Sequence, residues 1–276
     1  MRIAIATDST ADIPQNIISR YAIYQLPVFI VINGKSYRDS IDISRKSYYR
    51  QLPTYSPLPT TASPSVGDFV DLYQDIFSQG YAHILSIHIS GTLSSVIQTA
   101  QTAAGELSEP ITVFDSNHLS LGLGFQVIHA AIKAAEGQPL QQILEELKRM
   151  QEKIHLYAVL DTLEYVRKSG RVPWVQAQLG SLLPVKPLIQ LKTGQVLSAG
   201  FARSRKRAFR QLREKLHQLG PFAYLGILHS NASQEAQDLL AGIQPPSEIS
   251  PLIVNVTTSI GTHVGPRGIG FAAVVK

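Results

Sequence analysis

The sequence predicts an α/β protein in two parts, a parallel-sheet α/β first half followed by an α+β second half. Three observations carry this. Up to residue 153, short apolar strands alternate with amphipathic helical stretches, the pattern of a parallel sheet covered on both faces. From residue 154 the texture changes to neighbouring strands, a hairpin signal and fewer helices. A length of 276 residues is also long for a single core. The expected division is therefore 1–153 and 154–276.

Taken in order, residues 3–7 read as a buried first strand with Asp8-Ser9-Thr10 at its carboxyl end. Asp12 can cap a helix carrying Ile13, Ile17 and Tyr21 on one face, with Pro14 in its first turn. Residues 24–32 predict one continuous second strand, turning at Asn33-Gly34. A helix over 44–52 gives way to the proline-rich stretch 53–64. Its last part, Pro59-Thr60-Thr61-Ala62-Ser63-Pro64-Ser65, is a loop leading into a helix with Val66, Phe69, Val70, Tyr73 and Phe77 inward. Residues 83–89 alternate as a strand, and Ser90-Gly91-Thr92-Leu93-Ser94-Ser95 opens the next helix. A short strand over 111–114 ends in Asp115-Ser116, and helices over 121–135 and 140–153 follow. Three strands thus end in Ser, Thr or Asp, and ligands of open α/β sheets collect at such carboxyl ends.

In the second half, 156–161 predicts a strand and 162–168 a short helix ending at Ser169-Gly170-Arg171. Runs at 187–191 and 196–201 flank Lys192-Thr193-Gly194-Gln195, a hairpin signal. Residues 205–218 form a basic helix with Ala208, Leu212, Leu216 and Leu219 on one face and Arg203, Lys206, Arg210 and Arg213 on another. A strand over 222–228, a helix over 233–240, a β-rich run over 252–258 and a strand over 269–275 complete it. The last two flank Gly261-Thr262-His263-Val264-Gly265-Pro266-Arg267-Gly268-Ile269-Gly270, whose glycine density predicts tight turns or close backbone approach.

Composition narrows the function classes. Hydrophobic residues make up 44% and charged residues 16%, which suits a packed, soluble globular chain. Cysteine is absent, so disulfides and thiolate metal sites are excluded, in keeping with a reducing cytoplasm. The apolar start meets Asp8 too early for a signal segment, and no run reaches the ~18 apolar residues of a membrane span. The net charge of +5 arises mainly at Arg203–Lys215, so a basic patch is expected rather than a nucleic-acid-binding protein.

Eight histidines show no H-E-x-x-H and no ligand spacing with carboxylates, so no metal or cofactor is expected. The phosphate-binding pattern G-x-x-x-x-G-K-[ST] and the nucleophile elbow G-x-S-x-G are both missing. A Ser–His–Asp set can be drawn from Ser90 or Ser94, His263 and Asp115, but only by selection. What remains is a set of neutral donors in glycine- or proline-bounded loops: Ser9, Thr10, Thr61, Ser90, Ser94, Ser95, Thr262 and His263. Such groups suit recognition of a carboxylate or phosphate; each is also an ordinary cap or turn residue.

Five ordered segments together resemble the DegV family. Thr7-Asp8-Ser9-Thr10-Ala11-Asp12-Ile13-Pro14 is similar to its T-D-S-T-A-D-x-P signature and Thr61-Ala62-Ser63-Pro64-Ser65 to its T-S-Q-P-S loop. Ile89–Ser95 resembles its S-x-x-L-S-G-T segment, 160–171 its L-D-T-L-x-x-L-x-x-G-G-R, and 261–270 its closing G-T-H-x-G-P-G. Lys186-Pro187 and Arg203 also fit. The chain departs from the pattern at Ala62-Ser63, Ser95-Val96, Ser169 and Arg267.

The resemblance implies a DegV-like fold that holds a long-chain fatty acid between its two domains. It also implies presentation of the bound carboxylate to a separate fatty acid kinase in the cytoplasm, without catalysis by the chain itself. Carried over by position, Thr61, Ser94, Ser95 and His263 would bind the carboxylate, supported by Arg171, Ser9, Thr10 and Thr262. Arg203, Lys206 and Arg210 would face the kinase; a solvated helix face is the plainer reading of that stripe. Uptake of such a ligand would allow transient membrane contact. Tunnel walls are expected among residues 119–125 and 174–183. The rival class is a lipid hydrolase or phosphotransferase using His263.

Overall fold

The computed structural model describes residues 2–176, 185–243 and 249–276. The first half runs β1 (Ile3–Asp8), α1 (Gln15–Arg20), β2 (Tyr24–Leu26), β3 (Phe29–Ile32), β4 (Lys35–Arg38), α2 (Arg45–Gln51), β5 (Thr60–Ala62) and α3 (Val66–Ser78). It continues through β6 (His83–His88), α4 (Val96–Gly105), β7 (Ile111–Asp115), α5 (Leu121–Ala135) and α6 (Leu140–Lys153). The second half begins with β8 (Ile154–Val159), α7 (Glu164–Ser169), α8 (Pro173–Gln176), β9 (Lys186–Lys192) and β10 (Gln195–Ala202). It ends with α9 (Arg205–His217), β11 (Phe222–His229), α10 (Ser233–Leu240), β12 (Leu252–Asn255), α11 (Thr258–Val264) and β13 (Ile269–Val275).

Every residue of β1 is buried, as expected for a strand covered on both faces. It lies between β2 and β6, and β6 pairs with β7, all parallel, giving the order β2-β1-β6-β7. The second half builds a mixed sheet in the order β10-β9-β8-β13-β11-β12, antiparallel except for β11 with β12. The α/β-then-α+β expectation therefore holds. Helix α5 joins the two sheets. Its residues 121–128 are all buried, and it packs on β1 and β6 on one side and on β8, β11 and β13 on the other. A helix apolar all round belongs in such a position. Gly124 and Gly226 permit the approach: a Cβ at Gly124 would lie 2.4 Å from Ala11 O, and one at Gly226 2.2 Å from Leu121 Cδ1.

Three local expectations are corrected. The run 24–32 is two strands, because Pro27 has no N–H to continue the ladder. β2 stays in the parallel sheet, whereas β3 turns away into a small antiparallel sheet, β4-β3-β5. Asp12 does not cap α1, whose N-cap is Pro14 with no side-chain bond; its buried carboxylate instead accepts the Thr257 N–H at 2.7 Å and the Ser120 hydroxyl at 2.6 Å. The glycine-rich segment near the C-terminus is partly helical, because α11 includes Gly261, Thr262 and His263. Of the expected tunnel walls, 177–183 lie outside the described residues. Residues 121–125 are packed core, and Leu119 and Ser120 reach the cavity described next.

Candidate functional site

Between the two larger sheets lies a cavity of about 300 Å³. Its apolar walls come from the inner face of the mixed sheet, with Leu156 and Ala158 on β8, Ile189 and Leu191 on β9 and Val196 on β10. Facing them are residues that follow the parallel strands: Thr10 after β1, Ile89 and Leu93 after β6, and Leu119 after β7. The cavity thus opens where the carboxyl ends of the parallel strands meet the second sheet. A smaller cavity of about 240 Å³ shares Thr61, Ser169, Arg171 and His263 with it and adds Lys168, Tyr165 and Thr262.

The polar groups come together at these shared residues. Thr61 sits in β5 opposite Ile30 of β3, which aims its hydroxyl toward α11. There Thr61 Oγ1 lies 3.0 Å from Nε2 of His263. Ser63, two residues on and just past the end of β5, meets Ser95 hydroxyl to hydroxyl at 2.9 Å. Ser94, Ser95 and Val96 all line the cavity at the start of α4, whose first N–H groups favour negative charge. Ser94 Oγ accepts the Val96 N–H at 3.4 Å. Its own hydroxyl proton has no partner among the described residues, which leaves it free to donate.

Charge at this end has one sign. Arg171 is the one lysine or arginine among the described residues lining the larger cavity, and no aspartate or glutamate is among them. The Arg171 side chain is oriented by donating to Ser169 O at 2.6 Å. Burial, and secondarily the Arg171 charge, push the His263 imidazole down to about 4. At neutral pH the ring is therefore uncharged and exchanges a hydrogen bond with Thr61. Neutral donors, a helix start and one guanidinium together form a receptor for an anion whose remainder is apolar.

The remaining sequence-nominated residues are placed differently. Thr10 lines the cavity, but its hydroxyl is committed to Asp8 Oδ1. Thr262 lines the smaller cavity and donates to Thr258 O at 2.8 Å, with Tyr48 Oη against it. Ser9 lines neither cavity; its Oγ donates to Asp39 Oδ2 at 2.9 Å and accepts the Val28 N–H at 3.1 Å. Arg203, Lys206 and Arg210 are exposed at and beyond the start of α9, which Ser204 caps.

Sequence reasoning missed Ser120, Ser259 and His229, which also line the larger cavity. His229 Nδ1 accepts the Ala232 N–H at 3.2 Å, so the ring proton sits on Nε2, and burial lowers its basicity. The position of His229 at the end of the apolar strand β11 was the available signal. Asp39 was missed as well. It follows a strand of ordinary polarity and only the folded chain buries it.

The Ser–His–Asp selection does not assemble. Asp115 accepts the Gly91 and Asn117 N–H groups at 3.1 and 2.8 Å, and Ser90 pairs with Thr92. Among the described residues no carboxylate hydrogen-bonds His263. An Asp8–His88–Ser86 chain does exist, with spacings of 3.0 and 2.7 Å, but all three side chains are fully buried and line neither cavity. No cluster of metal-ligating side chains occurs among the described residues, and no described helix is long and apolar enough to cross a membrane.

A family model described as "Uncharacterised protein, DegV family" matches residues 2–276. The protein DegV of Bacillus subtilis is 31% identical over an alignment of 286 residues that covers 100% of both chains. Among solved structures, a DegV family protein from Thermus thermophilus, described as binding fatty acid, superposes with a TM-score of 0.91 at 33% identity over 100% of both chains. The Bacillus subtilis DegV structure, described as a fatty acid binding protein, gives 0.89 at 29% identity, again over 100% of both chains.

Proposed function

The chain belongs to the DegV family, and from that premise we propose that it binds a long-chain fatty acid in the larger cavity. The carboxylate would be held by Thr61, Ser94, Ser95 and His263, with Arg171 supplying positive potential and Thr10 and Thr262 holding the surrounding backbone. One observation carries the reading: Thr61 and His263, 202 positions apart, meet at 3.0 Å at the polar end of an otherwise apolar cavity. Burying an acyl chain yields about 0.8 kcal/mol per CH₂, so about fourteen methylenes supply on the order of 10 kcal/mol. Hydrogen bonds to the charged head contribute about 1.5–3 kcal/mol each. The tail therefore sets the affinity and the loops set the register.

In this reading the chain is a carrier without catalysis of its own. It presents the carboxylate to a cytoplasmic kinase that docks on Arg203, Lys206 and Arg210, and its two domains divide at 153/154. Purified protein analysed by native mass spectrometry should carry one fatty acid, and the delipidated protein should rebind palmitate one to one without turning over ester substrates. A ligand-free protein that ignores palmitate, or one that hydrolyses lipid esters, overturns the proposal.

A further inference from the structure

Asp39 follows β4 directly and is buried, and its two carboxylate oxygens reach two different parts of the fold. Oδ2 accepts the Ser9 hydroxyl at 2.9 Å, and the same Ser9 oxygen accepts the Val28 N–H at 3.1 Å. The Asp39 N–H closes the loop by donating to Val28 O at 2.9 Å. Val28 leads into β3, and Ile30 of β3 is the cross-strand partner of Thr61. On the other side, Oδ1 accepts both the N–H of Thr258, at 3.0 Å, and its hydroxyl. Thr258 is the first residue of α11, the helix that carries His263.

We infer that Asp39 is a positioning residue for the head-group site: through Ser9 and Thr258 it fixes the strand bearing Thr61 against the helix bearing His263, without touching the ligand. The inference rests on the fatty-acid reading for its ligand. Asp39 lines neither cavity, so it acts only through those two elements. The other polar ties on the start of α11 lead elsewhere. Asp12 takes the Thr257 N–H, and Tyr49 donates to Val256 O and Thr257 O at 2.9 and 3.2 Å. These anchor the helix to α2 and to the loop after β1, whereas the Asp39 bonds continue to β3 and so to β5. A buried carboxylate is costly unless its lone pairs are filled. This one is filled by donors from both elements, so its geometry holds only when they are in register. Residual freedom there would fall on the Thr61–His263 pair, and small misplacements of a binding constellation cost affinity steeply.

The test compares the full-length protein with Asp39→Ala and Asp39→Asn, reading the palmitate dissociation constant and the His263 imidazole pKa by NMR. Tyr73→Phe is the control, because it removes a buried hydrogen bond to Ser86 and neither residue lines either cavity or touches Thr61 or α11. Asp39→Ala should weaken palmitate binding at least tenfold and move the His263 pKa from about 4 toward 6.5 as the helix loosens. Asp39→Asn keeps an acceptor for Thr258 and should recover most of both, and Tyr73→Phe should lower only the melting temperature. If Asp39→Ala behaves as Tyr73→Phe does, the inference is overturned. Should Asp39→Ala not fold, Ser9→Ala breaks the same relay on its β3 side and decides by the same two readouts. If wild-type protein fails to bind palmitate, the fatty-acid reading is lost, while the His263 titration still judges the positioning role.

Discussion

Thr61 Oγ1 and His263 Nε2 are hydrogen-bonded at 3.0 Å, which ties an element of the first half of the chain to one of the second. Thr61 lies on the third strand of a small sheet from the first half; His263 lies on a short helix from the last residues. The pair sits at the polar end of the cavity and joins the two halves of the chain there.

Removing a head-group donor should therefore lower affinity without unfolding the protein. Thr61→Ala or Ser94→Ala each deletes one hydrogen bond to a charged group, about 1.5–3 kcal/mol, or roughly ten- to a hundredfold in the palmitate dissociation constant. Isothermal titration of delipidated protein measures this, with circular dichroism as the control for folding. Unchanged affinity in both variants would remove these hydroxyls from the site.

Gly261 carries a packing constraint. A Cβ there would lie 2.3 Å from the Tyr49 hydroxyl, and Tyr49 is fully enclosed, so neither side can yield freely. Gly261→Ala should destabilise the fold by about 1–3 kcal/mol in urea titrations and displace α11. The double variant Gly261→Ala with Tyr49→Phe should regain part of that stability, since the nearest clash is with the phenol oxygen.

Stability should depend on pH through two buried groups of opposite sign. Burial holds His118 at about 4, against an ordinary value of 6.5. Between those values the unfolded chain binds a proton that the folded chain does not, so stability falls as pH drops from 6.5 through 4, by about 3 kcal/mol in all. Asp12 is pushed up to about 7, mainly by burial and against the pull of Arg45. Its folded form keeps a proton that the unfolded form has lost above 3.8, so its contribution declines as pH rises from 3.8 to 7. Denaturation at a series of pH values should show His118→Gln flattening the acid limb and Asp12→Asn flattening the opposite one.

Arg203, Lys206 and Arg210 are exposed, and replacing all three by Glu reverses the sign of that surface. The triple variant should lose most kinase-dependent phosphorylation of the bound acid, and the loss should vary with ionic strength, while retaining its ligand. Loss of ligand would show that this face is not a docking surface.

The legibility of the chain follows the range of the forces involved. Helices α5, α6 and α10 and strand β13 were readable to the residue, because each has a sustained apolar pattern bounded by Pro, Gly or polar residues. The hairpin around Thr193-Gly194 was equally plain, since Gly194 takes one of the turn's two positive φ values without steric cost, although Thr193 takes the other against its β-branched preference. Arg267, where the family pattern has glycine, proves to have φ of 62°, a conformation in which glycine is unstrained. Their place as neutral donors in glycine- or proline-bounded loops put Thr61, Ser94 and His263 among eight candidates, resemblance to that pattern singled them out, and the fold brings all three to one cavity.

By itself the sequence determined the two-part α/β then α+β plan, because apolar periodicity is a local property that tertiary contacts reinforce. Tertiary structure alone decided which sheet each strand on either side of Pro27 joins, that Asp12 turns inward to Thr257, and that Gly261, Thr262 and His263 form a helix. In each case the stabilising partner lies far away in the chain: Asp39 and Asp12 satisfy the first N–H groups of α11, and Tyr49 fills the space over Gly261. A helix of seven residues with a glycine inside has little stability of its own, so its existence, and with it the placement of His263, depends on those distant groups.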